Sequence, residues 1–299
     1  MSRRPLVVVL AAALVLVAVA PSTADARRSD NRKKPVLFVH GLDFAGAAGL
    51  DCGSYWGRTI GRFRDFGHTG RMVTIAYYGG DRNCTHWLGH HGRHSRHDGH
   101  RGRSHDGDTS IRHLGYHLAW TIWNHYTRRG KRVDLVGHSM GGLVIRYALA
   151  QTARNHDRFP PYLLVEDAVT LGTPHDGTHA GILCAWLTQC VQMGPNSGLM
   201  NWLRRRATNP QGRGGTDWSV FSSYDDLVVS EGSGVHMNAA HRVVYLSSSN
   251  VSHDDFRLIG SARITADVRR YSRAGGWVTD RTSHWPIRRA DLAVTFGNR

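Results

Sequence analysis

Val133-Asp134-Leu135-Val136-Gly137-His138-Ser139-Met140-Gly141-Gly142 is the stretch from which the rest of the chain can be read. A short apolar, strand-like run leads directly into Gly-x-Ser-x-Gly, and a helical pattern follows over 142–153. A serine at such a strand-to-helix junction sits on a sharp, strained turn with its hydroxyl exposed above the strand end. Side chains two positions to either side would collide with neighbouring backbone, and Gly137 and Gly141 remove them. The helix that follows points its unpaired N-terminal N–H groups at any negative charge developing beside Ser139. His138 adjoins Ser139 on the turn and cannot easily swing its ring onto that hydroxyl, so it reads as structural.

Outward from this stretch, short apolar runs alternate with helical patterns. Strands are expected at Val36–Val39, Met72–Tyr77, Val133–Val136, Ala168–Leu171, Ser219–Ser222 and Val243–Ser247. Leu114, Leu118, Ile122 and Tyr126 recur at four-residue spacing and predict a helix over Ile111–Tyr126. Strand–helix–strand repetition predicts an α/β fold: a mostly parallel sheet flanked by helices. Near-continuous apolar strands such as Val-Leu-Phe-Val fit burial on both faces. Val36–Val39 runs into His40-Gly41-Leu42, which places a backbone turn near the N-terminus that could supply a second oxyanion donor. The N–H groups of Leu42 and Met140 are the expected pair.

Phe38-Val39-His40-Gly41, Gly-His-Ser-Met-Gly-Gly and Thr170-Leu171-Gly172-Thr173-Pro174-His175 together resemble secreted bacterial lipases and esterases of the α/β-hydrolase superfamily. The resemblance spans most of residues 35–260, and it is most specific at the serine turn and the Leu-Gly-Thr-Pro-His run. It implies hydrolysis of esters or lipids without an organic cofactor, and the chain order serine, aspartate, histidine. An acid is therefore sought after a strand beyond residue 213. Val220-Phe221-Ser222-Ser223-Tyr224-Asp225-Asp226-Leu227-Val228 offers two carboxylates. Aligning the small pair Ser222-Ser223 with that of related lipases favours Asp225 over Asp226. The base is expected in the loop after Val243–Leu246, where His253 stands, with His284 as the competing position. Ser139, Asp225 and His253 are thus the expected triad, active only with a neutral imidazole.

The N-terminus carries Arg3 and Arg4, a 15-residue apolar run Leu6–Ala20, and Ala24-Asp25-Ala26. That pattern predicts a signal peptide over 1–26 and a secreted domain over 27–299. The alternative, a retained anchor, needs about 20 apolar residues. Ser2-Arg3-Arg4 faintly resembles a twin-arginine signal, so the export route stays open. Four cysteines in an exported chain favour disulfides, and their neighbourhood suggests Cys52–Cys84 and Cys184–Cys190, although four cysteines permit three pairings. The formal net charge of +15 favours anionic surroundings, but no aromatic-interleaved basic motif points to specific nucleic-acid binding. A lipid or ester substrate, contact with a lipid interface and a monomeric state complete the expectation.

Two segments depart from the strand–helix pattern. Residues 175–213 read as a cap insertion whose Trp186, Leu187 and Trp202 could line an acyl-binding wall. Residues 86–108 are low-complexity and should form a mobile loop. Its His86, His90, His91, His94, His97, His100 and His105 could bind zinc, copper or nickel loosely, without structural-zinc spacing. No metal is expected in the active site.

Overall fold

The computed structural model describes residues 29–43, 49–88, 106–260 and 266–297. The expected signal peptide over 1–26 and most of the histidine-rich segment, 89–105, lie outside the described residues. Nine strands form one sheet among the described residues: β1 Val36–Val39, β2 Met72–Ala76, β3 His86–Trp87, β4 Val133–His138, β5 Val165–Leu171, β6 Asp217–Ser223, β7 His241–Tyr245, β8 Ala266–Ser272 and β9 Gly276–Ser283. Their spatial order is β3-β2-β1-β4-β5-β6-β7-β8-β9. The first seven run parallel and the last two antiparallel. The helices are α1 Cys52–Asp65, α2 Ile111–His125, α3 Met140–Ala153, α4 Thr188–Met193, α5 Gly198–Arg206, α6 Glu231–Gly234, α7 Asp255–Leu258 and α8 Pro286–Phe296.

The strand order places the site. The chain builds outward from β1 to β3, returns to lay β4 beside β1, and then builds outward the other way. In such sheets the connections leave β1 and β4 in opposite directions, opening a crevice at their carboxyl ends. His40-Gly41-Leu42 and Ser139 both stand at those ends.

Both faces of the sheet are covered, which accounts for the unbroken apolar strands. Leu37, Val39, Val133 and Leu135 join a core with α2, α3 and α5, while Val36, Phe38 and Val136 face the other way onto α1 and α8. Phe38 meets Trp56 and Phe63 of α1 at centroid distances of 5.2 and 5.6 Å. Asp51 caps α1 by accepting from Ser54 N at 3.0 Å. Cys52–Cys84 joins the start of α1 to the chain before β3, and Cys184–Cys190 closes a short ring, as the spacing suggested. Among the described residues no helix is long and apolar enough to cross a membrane.

Two expectations change. His86 and Trp87, placed in the mobile loop, pair instead with Ile75 and Ala76 of β2. β8 and β9 carry four arginine and tryptophan side chains on a largely exposed hairpin (Arg269, Arg270, Trp277, Arg281), so no apolar alternation announced them.

Below the sheet, at the opposite end from Ser139, Lys34 is buried among three carboxylates. Its Nζ lies 3.1 Å from Asp134, 3.3 Å from Glu166 and 3.2 Å from Asp167. Burial lowers the lysine's pKa, but the three carboxylates outweigh it and the net shift is upward. Burial, followed by the charge of Asp167, pushes the Asp134 carboxyl well above its usual range. Lys34→Met would leave these carboxylates buried without their cation. The expected cost is about 3–5 kcal/mol, read from urea unfolding at neutral pH and shrinking as acid protonates the carboxylates. A variant as stable as the parent at neutral pH would refute that role.

Candidate active site

Ser139 occupies φ 52°, ψ −128°, a left-handed conformation uncommon for a residue with a side chain. Its surroundings enforce the bend. Ser139 N donates to Leu171 O at 2.9 Å, and Thr173 Oγ1 donates to Ser139 O at 2.8 Å. A Cβ on Gly141 would lie 2.2 Å from Val39 O, so only glycine lets α3 start this close to β1. A Cβ on Gly41 would lie 2.9 Å from Ser139 Cβ, which puts the loop after β1 directly against Ser139. The N–H groups of Leu42 and Met140, the expected oxyanion donors, have no hydrogen-bond partner among the described residues.

The acid expected at Asp225 is displaced by one residue. It is Asp226 that meets His253, with Oδ2 2.8 Å from Nδ1. Oδ1 of Asp226 accepts from Val228 N and Val229 N, both at 2.9 Å, and the carboxylate is fully enclosed. Among the described residues, Asp225 Oδ2 has no hydrogen-bond partner, and its backbone N–H donates to Ser223 Oγ at 3.1 Å. The physical reason is the turn after β6: an aspartate two and three residues before buried N–H groups folds its carboxylate back over them. The signal was present in Asp-x-Val-Val, where Val229 is buried and Leu227 is thrown outward.

His253 Nε2 is buried and has no hydrogen-bond partner among the described residues, leaving one acceptor lone pair opposite the Asp226 bond. His284 stands on the exposed side of the edge hairpin, where its carbonyl accepts from Tyr245 Oη at 3.0 Å. It is not brought to Ser139.

His138 ties three loops together. Tyr55 Oη donates to its Nδ1 at 2.5 Å, and its Nε2–H donates to His253 O at 2.8 Å. The same Tyr55 Oη accepts from Gly41 N at 3.1 Å. Arg257 lies over the Tyr55 ring, 4.2 Å from its centroid, and also bonds Tyr55 O. One tyrosine of α1 thus links the oxyanion loop, the serine turn and the histidine loop. Sequence reading missed Tyr55, since nothing local marks a residue that acts through contacts far along the chain. Behind the oxyanion loop, His40 stacks on Tyr77 at 3.9 Å and meets Asp81 at 3.0 Å. Burial opposes a charge on Asp81, yet bonds from His40, Leu50 N and Tyr77 N hold its pKa below the usual carboxylate range.

The expected cap divides into two parts. Arg146 of α3 is wholly buried and donates to Ala207 O, His175 O and Leu203 O at 2.8, 2.7 and 3.2 Å, fastening α5 to the nucleophile helix. Trp202 packs on Tyr147 at 5.1 Å and belongs to that anchored part. Leu187 is buried, and Trp186 is 72% exposed, so the three expected wall residues do not share one surface. Between them lies α4, whose Gln189 Oε1 accepts from Tyr78 Oη at 2.6 Å.

The family described as a PGAP1-like alpha/beta domain matches residues 103–183. No curated protein matches the chain. Among solved structures, the mature Bacillus licheniformis lipase BlEst2 is 18% identical with a TM-score of 0.44, covering 71% of this chain and 84% of that one. Aspergillus fumigatus lipase B is 16% identical with a TM-score of 0.45, covering 76% of this chain and 50% of that one. Phospholipase PlaB from Legionella pneumophila is 15% identical with a TM-score of 0.44, covering 68% of this chain and 45% of that one. This chain therefore spans half or less of the last two proteins. The arrangement of its own sheet and serine turn is that of an α/β-hydrolase fold.

Burial, and after it the charge of His253, holds the His138 pKa well below 6.5. On unfolding the ring would recover that ordinary value, so below about pH 6.5 the unfolded chain binds a proton that the native chain does not. Stability therefore falls with falling pH in that window, by up to about 1.4 kcal/mol per pH unit for this group. His138→Asn, which keeps a donor and an acceptor, should flatten the slope of unfolding free energy between pH 5.5 and 7. Equal slopes for parent and variant would contradict this.

Proposed function

We propose that the chain is an exported serine hydrolase that cleaves carboxylic esters through an acyl-Ser139 intermediate, with acyl esters of lipids as the substrate class. One observation carries the reading: the Asp226–His253 pair at the sheet end that holds Ser139, with the far imidazole nitrogen unbonded. In this mechanism His253 Nε2 takes the proton of Ser139 as Oγ attacks the ester carbonyl. Leu42 N–H and Met140 N–H receive the developing oxyanion, each such donor contributing about 3–4 kcal/mol. Asp226 holds Nδ1–H and steadies the imidazolium. Collapse of the tetrahedral intermediate expels the alcohol, which takes the proton from His253. Water, deprotonated by His253, then attacks the acyl-enzyme and frees the acid and Ser139.

Lipid esters are favoured by what surrounds the sheet end. Ile182, Leu183 and Trp186 follow β5 at its carboxyl end, and Leu227, 95% exposed, adjoins Asp226. Large apolar side chains turned outward beside a catalytic crevice suit an acyl chain or a lipid surface. Two disulfides and the apolar segment over 6–20 support export. Short-chain esterase, thioesterase and acyltransferase activities use the same machinery, and a basic extracellular binding protein is the alternative of another class.

An organophosphonate probe should label the parent covalently and leave Ser139→Ala unlabelled, while p-nitrophenyl esters of increasing chain length should be hydrolysed faster at medium or long chains than at acetate. An unlabelled, inert parent would establish the binding-protein alternative, and preference for acetate would remove the lipid assignment. Asp226→Asn keeps an oxygen for Val228 N and Val229 N but loses the charge facing His253. It should lower kcat on the order of 10³–10⁴-fold, whereas Asp225→Asn should stay near the parent. The reverse ranking would return the role to Asp225.

A further inference from the structure

The mechanism leaves the histidines of α2 unused. His113 and His117 lie one helical turn apart, and their Nε2 atoms are 3.0 Å from each other. Residues four apart share one helix face, so both rings can direct a lone pair at a common point. An ion bound to imidazole nitrogens at about 2.0–2.1 Å sets neighbouring donors about 2.9–3.4 Å apart, for square or tetrahedral geometry. We propose that His113 and His117 form a chelating site for a divalent transition-metal ion of the zinc, nickel or copper class.

Without metal, a 3.0 Å contact of two neutral imidazoles is an N–H···N hydrogen bond, one ring lending its Nε2 proton. Chelation requires that ring to carry its proton on Nδ1 instead. Both rings stay neutral, and the ion takes the place of the shared proton. The site is largely preformed. His117 is buried, with its ring edge-on to Tyr116 at 5.2 Å. α2 is seated tightly on α3, since a Cβ on Gly115 would lie 2.8 Å from a Tyr147 ring carbon.

The surroundings select the kind of ion. His113 lines a surface hollow of about 440 Å³ that also presents Ser110, Arg112, Tyr147 and Arg158. Two guanidinium groups repel cations held by charge alone, which excludes calcium and magnesium. An ion that gains from nitrogen donation overcomes that repulsion. Among the described residues no group of three or more His, Cys, Asp or Glu could hold a metal ion, so the proposed ligand set is these two imidazoles.

His90, His91, His94, His97, His100 and His105 lie outside the described residues and would bind ions of their own. The test therefore uses the full chain with those six replaced by Ala, titrated with ZnCl₂ by calorimetry and followed by thermal unfolding. One ion should bind per chain and raise Tm, since a ligand of the native state stabilises it. MgCl₂ should do neither. His113→Gln and His117→Gln, each required to melt cooperatively in metal-free buffer, should both lose the calorimetric signal and the rise in Tm. A six-alanine chain that binds no zinc, or binding that survives both single variants, overturns the site.

Discussion

A left-handed bend at a side-chain-bearing residue is the constraint around which this molecule is arranged. Ser139 holds φ 52° because neighbouring elements close in on it: Leu171 at the end of β5 and Thr173 just beyond it, the carbonyl of Val39 against Gly141, and the Gly41 backbone against its Cβ. Strain of this kind costs on the order of 1–3 kcal/mol and persists only where the surroundings over-determine it. The requirement reaches far along the chain. It explains why β1 must lie beside β4, and why glycines stand where those two strands end.

The same contacts set different surroundings for the histidine beside Ser139 and for a remote one. His138, enclosed and bonded at both nitrogens, holds the backbone carbonyl of His253. His253 is bonded through Nδ1 to Asp226, and its Nε2 has no hydrogen-bond partner among the described residues. Identical side chains acquire different tasks from what surrounds them. Tyr55 sits behind both, so α1, a helix with no residue of its own at the reacting atoms, sets the spacing of the loops. Its anchorage through Asp51 and Cys52–Cys84 becomes part of the site's geometry.

The core strands were legible because burial on both faces leaves a run of Val, Leu and Phe that no exposed segment imitates. The serine turn was legible because its glycines are demanded by contacts a few residues away. The carboxylate that meets His253 stands one position beyond the expected Asp225, because the sequence marks the turn after β6 but not which of two neighbouring carboxylates faces His253. That choice rests on the N–H groups of Val228 and Val229, which become acceptor-hungry only once the turn has formed. β8 and β9 were invisible since only Ala266 and Val268 among their apolar side chains are buried, while Arg269, Arg270, Trp277 and Arg281 interrupt any apolar pattern. α1 escaped because only Trp56 and Phe63 of its buried face are large and apolar, although Cys52, Trp56, Thr59 and Phe63 stand at helical spacing.

The division of the segment over 175–213 has a consequence for how such a protein can diversify. Arg146 bolts the later half to the nucleophile helix, while the ring closed by Cys184–Cys190 and the turn before it carry Ile182, Leu183 and Trp186 in solvent. Those three side chains support no core contact of the fold, so exchanging them draws little on folding free energy. Natural variation or an engineer can therefore rewrite the rim of the crevice piecemeal while the scaffold beneath stays thermodynamically indifferent.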